Sequence, residues 1–299
     1  MTNAIPLQRM NRLIDEALEE DLALGDLTTR LLVDEKAVGR AGAIAKQDLV
    51  AAGIDVFGAA FARVDANVAF HAEVEDGATV ESGKALAHVE GPLRSILAAE
   101  RVALNFLQRL CGVAMLTRRY ADALPAGSPT RIVDTRKTTP GMRALERHAV
   151  RCGGGLNHRS DLSGGIIVKD NHIAACGGFV ADAVLRARRG AGPTHRVECE
   201  VTTLEQLDEA IAAGADTVML DNMDLETIAR AMERAVGRAA VEVSGRVRLE
   251  DVPKLARLGV DYISVGALTH SAPAADVSLE VETGDSSRKI GFGRSRPRK

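Results

Sequence analysis

The stretch DTRKTTPG, residues 134–141, follows the apolar pair Ile132-Val133 and sets Arg136 beside Lys137, then two threonines, then Pro-Gly. Such an ending is either a solvated loop or a site for something heavily anionic, because Arg offers a planar fork to carboxylates and phosphates and Lys a point charge. Further on, CGGGLNHRSDLSGG (152–165) packs five glycines around Asn157, His158 and Arg159. That composition suits either a linker or a loop that brings backbone and side chains close to a ligand. Lys169 and Asp170 end the run GGIIVKD, and Glu198 and Glu200 stand two apart in HRVECEV, on one face of a strand. Asp221-Asn222 ends DTVMLDN. Ser244-Gly245 and Val265-Gly266-Ala267 end two more runs, where glycine lets backbone N–H groups approach a phosphate.

The signs segregate. Residues 131–172 hold eight Arg and Lys against four Asp and Glu, with His148, His158 and His172, in a chain whose net charge is −3. The runs at 198–200 and 221 are acidic instead. Cations on one arc and carboxylates on the next suit an anionic substrate with a hydroxylated or metal-bound portion. Glu and Asp can hold ribose hydroxyls or a hard cation such as Mg²⁺.

The elements that must position these groups follow from periodicity. Six apolar runs, RIVDT, GGIIVKD, HRVECEV, DTVMLDN, AAVEVSG and DYISVGA, alternate with helical patterns after residue 130. This rhythm means parallel strands with crossover helices, and without a GxGxxG fingerprint it favours a barrel. Six is short of eight, so an incomplete, six- or seven-stranded α/β barrel is expected, with its chemistry at the C-terminal ends of the strands. Upstream, PLQRMNRLIDEALEEDL has apolar residues at helical spacing, residues 38–97 read as short strands with Gly turns and one helix, and 98–124 reads as one long helix. The turn pattern at 77–91 resembles biotinyl and lipoyl carrier domains, with Lys84 as a carrier lysine; the simpler expectation is strands of a small sandwich. The expected division is an N-terminal α/β sandwich at 1–117, rejoined by about 268–284, a barrel at 118–267, and a disordered basic tail at 285–299.

Bulk properties exclude several classes. Apolar residues are 46% and charged residues 26%, ordinary for a globular protein. No apolar stretch is long enough to span a membrane and no secretory h-region opens the chain, so a cytoplasmic location is expected. Aromatics are 3% and Trp is absent, which argues against stacking platforms for nucleic acid. Cys111, Cys152, Cys176 and Cys199 lack CxxC spacing and read as free thiols.

Taken together, EEDLALGDLTT, ERVALNFLQRLCGVA, DTRKTTPGMRALERHAVRCGGGLNHR, IIVKDNHI, ECEVTTLEQLDEA, VMLDNM and DYISVGALTHS resemble the quinolinate phosphoribosyltransferase family, also called carboxylating nicotinate-nucleotide pyrophosphorylases. The resemblance runs in order from about residue 10 to about 282. It implies that quinolinate and phosphoribosyl pyrophosphate (PRPP) give nicotinate mononucleotide, pyrophosphate and carbon dioxide, with Mg²⁺, in NAD biosynthesis. It implies a homodimer or hexamer whose sites are shared between chains. Carried over by motif, Arg101 would reach into the partner's site to help bind quinolinate, and Thr135, Arg136, His158 and Arg159 would surround its two carboxylates. Lys137 and Lys169 would sit near the carboxylate and the PRPP phosphates, and Glu200 and Asp221 near the ribose hydroxyls and Mg²⁺. Ser244, Gly245 and Arg246, with Val265, Gly266 and Ala267, would hold phosphate. The family usually has Gly or Asn where Arg246 stands, and Gly where Ala23 stands. The competing expectations are a phosphoribosyltransferase for another pyridine base and a non-catalytic ligand-binding protein.

Overall fold

The fold is that of a computed structural model, which describes residues 5–282; the basic tail read at 285–299 lies outside the described residues. The first body comprises α1 (Leu7–Leu22), α2 (Leu27–Leu32), β1 (Val38–Ala45), β2 (Leu49–Val50), α3 (Ile54–Val64), β3 (Ala69–Ala72), β4 (Thr79–Val80) and β5 (Ala85–Pro92). The helix α4 (Leu93–Asp122) then leads to the second body. There the order is β6 (Arg131–Val133), α5 (Arg143–Cys152), β7 (Ile166–Val168), α6 (Asp170–Ala175), α7 (Val180–Gly190) and β8 (Val197–Val201). It continues with α8 (Leu204–Ala212), β9 (Thr217–Asp221), α9 (Leu225–Ala235), β10 (Ala240–Ser244), α10 (Val252–Arg257), β11 (Tyr262–Ser264), α11 (Ala267–His270) and β12 (Val277–Glu282).

The first body is an α/β sandwich. Its antiparallel sheet has the order β12-β1-β5-β3, so the last strand returns to pair with the first, Val277 opposite Ala45 and Glu282 opposite Arg40. The helix α1 packs on α3 and α4, with Met10, Ile14 and Leu18 buried at four-residue spacing, and α3 packs against the sheet, with Phe57 and Phe61 buried. The two rings meet edge-to-face with centroids 5.0 Å apart. The turn pattern at 77–91 belongs to this body, where β2 and β4 form a separate two-stranded ribbon and β5 is central in the sheet.

The second body is an incomplete α/β barrel. Six parallel strands run in the order β6-β11-β10-β9-β8-β7. Their faces toward the helices are apolar, as helices covering a parallel sheet require, while β8 and β10 turn the buried carboxylates of Glu198 and Glu242 to the interior. Among the described residues the ring does not close by strand pairing. Leu156 makes a single parallel bridge to Val133, with its N–H on Ile132 O at 2.8 Å and its carbonyl accepting from Asp134 N–H at 3.1 Å. The glycine-rich loop therefore lines the β6 edge of the gap.

The helix α4 is the spine. Leu104, Leu107, Leu110, Ala114 and Thr117 are all buried along it. The glycine-rich loop lies directly on it: a Cβ at Gly153 would stand 2.4 Å from Ala114 O and 2.5 Å from Thr117 Cβ. No helix among the described residues is long and apolar enough to cross a membrane.

Candidate active site

At the C-terminal ends of the barrel strands lies a cavity of about 720 Å³. Thr135, Arg136 and Lys137 enter it after β6, His158 and Arg159 from the glycine-rich loop, and Lys169 after β7. Glu200 enters from β8 and Asp221 from β9. Ser244, Gly245 and Arg246 enter at the end of β10, and Val265, Gly266 and Ala267 after β11. Arg101 does not line it; this residue is exposed on α4.

The cationic arc is held from behind. Thr269 Oγ1 donates to Lys137 O at 2.8 Å, and Arg143 donates to Thr138 Oγ1 at 3.0 Å and to Arg136 O at 3.4 Å. Among the described residues, the buried Nε atoms of Arg136 and Arg159 have no hydrogen-bond partner. Burial, and then the like charge of Arg136, push the proton affinity of the Arg159 guanidinium below its ordinary value. Two guanidiniums that repel each other and keep donors in reserve gain from an anion placed between them.

The acidic arc meets the cationic one at an ion pair between Lys169 Nζ and Glu200 Oε2. On the next strand Asp221 Oδ2 accepts from Asn222 Nδ2 at 2.8 Å. Asn222 has φ of 53°, a left-handed conformation that Asn tolerates and most side chains avoid. It also abuts Gly245, φ 119°, where a Cβ would stand 2.6 Å from Asn222 Oδ1. Only glycine lets the loop after β10 lie against this residue.

His158 sits between the rim and the barrel interior. Its Nε2 lies 3.1 Å from Glu198 Oε2 and 3.3 Å from Glu242 Oε2, and its Nδ1 accepts the backbone N–H of Arg159 at 2.8 Å. Glu198 and Glu200 do share a face, but Glu198 lies deeper and lines a second cavity of about 430 Å³ together with His158 and Glu242. Hydrogen bonds donated to the Glu198 and Glu242 carboxylates push the imidazole up to about 10. Burial raises Glu198 as well. The Arg159 N–H at Nδ1 opposes a second proton on the ring and the two carboxylates at Nε2 favour it; the carboxylates prevail.

Several residues of the site escape a strand-by-strand reading. Asp134, Glu242, Ser264 and His270 line the main cavity, and Arg143 and Arg147 support it. One signal was available for the arginines: Arg143, Arg147 and Arg151 recur every four residues in MRALERHAVRC, which gives α5 a cationic face toward both chemistry-bearing loops.

Residues 26–111 match the family description "Quinolinate phosphoribosyl transferase, N-terminal domain", and residues 113–280 match its C-terminal domain. The chain is 41% identical over 273 residues to a probable nicotinate-nucleotide pyrophosphorylase [carboxylating] of Bacillus subtilis, covering 91% of this chain and 93% of that protein. It is 41% identical over 280 residues to the nicotinate-nucleotide pyrophosphorylase [carboxylating] of Mycobacterium leprae, covering 90% and 95%. Among solved structures, the nicotinate-nucleotide pyrophosphorylase of Francisella tularensis superposes with a TM-score of 0.88 at 39% identity, over 94% of this chain and 99% of that one.

Proposed function

The chain belongs to the quinolinate phosphoribosyl transferase family, and we propose that the cavity at the barrel rim is where it joins quinolinate to PRPP. The reaction is a glycosyl transfer with decarboxylation that gives nicotinate mononucleotide, pyrophosphate and carbon dioxide in NAD biosynthesis. One observation carries the assignment to this cavity: Lys137, Arg159, Lys169, Glu200 and Asp221 come from five separate segments and line one space.

Two polyanions repel each other in water, and a cationic, partly dry pocket removes that obstacle while strengthening each contact. Arg136 and Arg159 clamp the quinolinate carboxylates, with Thr135 and His158 shaping the same end. The loops Ser244–Arg246 and Val265–Ala267 hold phosphate through backbone N–H groups, with Arg246 adding charge at the rim. Glu200 and Asp221 face the ribose hydroxyls. The C1–O bond to pyrophosphate breaks, and the pyridine nitrogen supplies the pair that forms the new C1–N bond. Lys169 balances the departing negative charge, and the two carboxylates stabilise the positive character at C1. The quaternised ring then accepts the electron pair of the C2–carboxylate bond as carbon dioxide leaves. The Lys137 ammonium stabilises the carbanion until it takes a proton.

Glu200 and Asp221 offer hard carboxylate oxygens from adjacent strands, a donor set that fits Mg²⁺. Bound there with PRPP, the ion would neutralise pyrophosphate charge. A homo-oligomer with shared sites is supported by two features. Arg101 is exposed on α4, away from its own cavity, and Leu24, Leu27, Leu31, Leu32 and Val38 expose an apolar set on the first body. A cytoplasmic location is supported by four free cysteines. The boundary between the bodies is placed near residue 117, with residues from about 268 returning to the first.

The test is an assay of quinolinate against nicotinate with PRPP and Mg²⁺. Equimolar nicotinate mononucleotide and carbon dioxide from quinolinate, and no product from nicotinate, are expected. PRPP binding without turnover of quinolinate overturns the reading.

A further inference from the structure

Asp134 opens the DTRK run, yet its carboxylate turns to the glycine-rich loop and is fully buried. Its Oδ1 accepts the backbone N–H of His158 at 2.7 Å, and its Oδ2 accepts from Asn157 Nδ2 at 2.7 Å. Arg147, one face of α5 away, places Nη1 3.3 Å from Asp134 Oδ1 and donates to the carbonyl of His158 at 2.7 Å. Asn157 is fixed at both ends of its amide. Its Nδ2 also donates to Arg147 O at 2.9 Å, and its Oδ1 accepts from Arg151. Three elements thus converge on two peptide units: β6 through Asp134, α5 through Arg147 and Arg151, and the loop through Asn157. Burial raises the Asp134 carboxyl above its ordinary range, and the Arg147 charge opposes this. A buried acid with an Arg and two further donors keeps its charge because those partners replace water.

The loop these groups hold has glycines on either side of the Asn-His-Arg segment and cannot hold a shape alone. We propose that Asp134, with Arg147 and Asn157, is a positioning clamp that presents His158 and Arg159 to the dicarboxylate end of the substrate. Asp134 itself touches no substrate. The clamp rests on the assignment of Arg159 to quinolinate given above. It serves that end alone, because the phosphate loops after β10 and β11 make no hydrogen bond to it among the described residues.

The decisive variant is Asp134→Asn, which keeps the shape but turns an amide N–H₂ against one of three donors. Quinolinate KM is expected to rise about tenfold or more, the scale of a lost charge-assisted hydrogen bond. PRPP KM, and kcat at saturating quinolinate, should stay within about threefold, since the phosphate end is untouched and the loop is realigned once substrate is forced in. A structural role alone predicts fewer active sites, with kcat lowered and both KM values unchanged, and that result overturns the clamp. Should Asp134→Asn fail to fold, Asn157→Ala decides: a raised quinolinate KM supports the clamp and a normal one overturns it. Arg159→Ala is measured alongside. A normal quinolinate KM there removes the assignment of Arg159 and the clamp with it; a raised KM there beside a normal one in Asp134→Asn removes the clamp only.

Discussion

Lys137 is exposed at the end of the β6 loop, with its carbonyl pinned by Thr269 and its backbone N–H on Thr135 Oγ1 at 3.1 Å. Its main chain is thus fixed while the ammonium remains available to the cavity. Replacing it by Ala should lower kcat by roughly two orders of magnitude, as losing one preorganised electrostatic donor does. Steady-state turnover near the wild-type value in that variant would take Lys137 out of the mechanism. The cluster of His158, Glu198 and Glu242 makes a different prediction. The shifts of His158 and Glu198 are upward, so the folded chain holds a proton that the unfolded chain releases. For His158 that stabilisation is complete below the ordinary value of 6.5 and is lost as pH rises through about 10. Melting temperature should therefore fall between those limits, and His158→Gln should flatten the slope. A wild-type curve that is level or rising over the same range contradicts the raised proton affinity of His158.

The elements show what the sequence could and could not reveal. All six barrel strands were legible, because an apolar run bounded by turn residues and followed by a 3.6-residue period is local information. The face shared by Glu198 and Glu200 was legible for the same reason. Their separation into different depths was not, since it depends on which strand stands opposite. Likewise Asp134 meets Asn157 and His158 only after α5 has turned the chain back, and Glu242 reaches His158 across the barrel from three strands away. The triple glycine was readable as a loop but not as a packing surface. It is one: Gly153 rests against Ala114 and Thr117 of α4. Gly153→Ala should destabilise the fold by about 1–3 kcal/mol, as overpacking a tight contact does, with no contribution from backbone strain at φ −76°. Chemical denaturation measures this directly; an unchanged midpoint would mean that α4 and the loop can separate without cost.

For the whole molecule, a net charge of −3 hides a cationic cavity, so the field that gathers polyanions is local and the protein at large is no polyanion binder. The spine helix ties this cavity to the rest. Arg109 on α4 donates to the fully buried Glu146 of α5 at 2.7 Å, and Glu146 in turn accepts from Thr139 of the DTRKTTPG loop. Arg101, two turns earlier, faces outward. If a second chain uses it, Arg101→Ala homo-oligomers should be inactive, and mixing them with Lys137→Ala chains should restore part of the activity through hybrid sites. Activity assays after subunit exchange measure this, and no recovery counts against sharing. The return of β12 to β1 carries a consequence for biogenesis. One edge of β1 stays unpaired until some 230 further residues have been translated, roughly 10–50 s at ribosomal speed. Throughout that interval a nascent chain displays a ready template for stray strands, which makes the polysome, rather than the finished enzyme, the stage at which this protein is most exposed to aggregation.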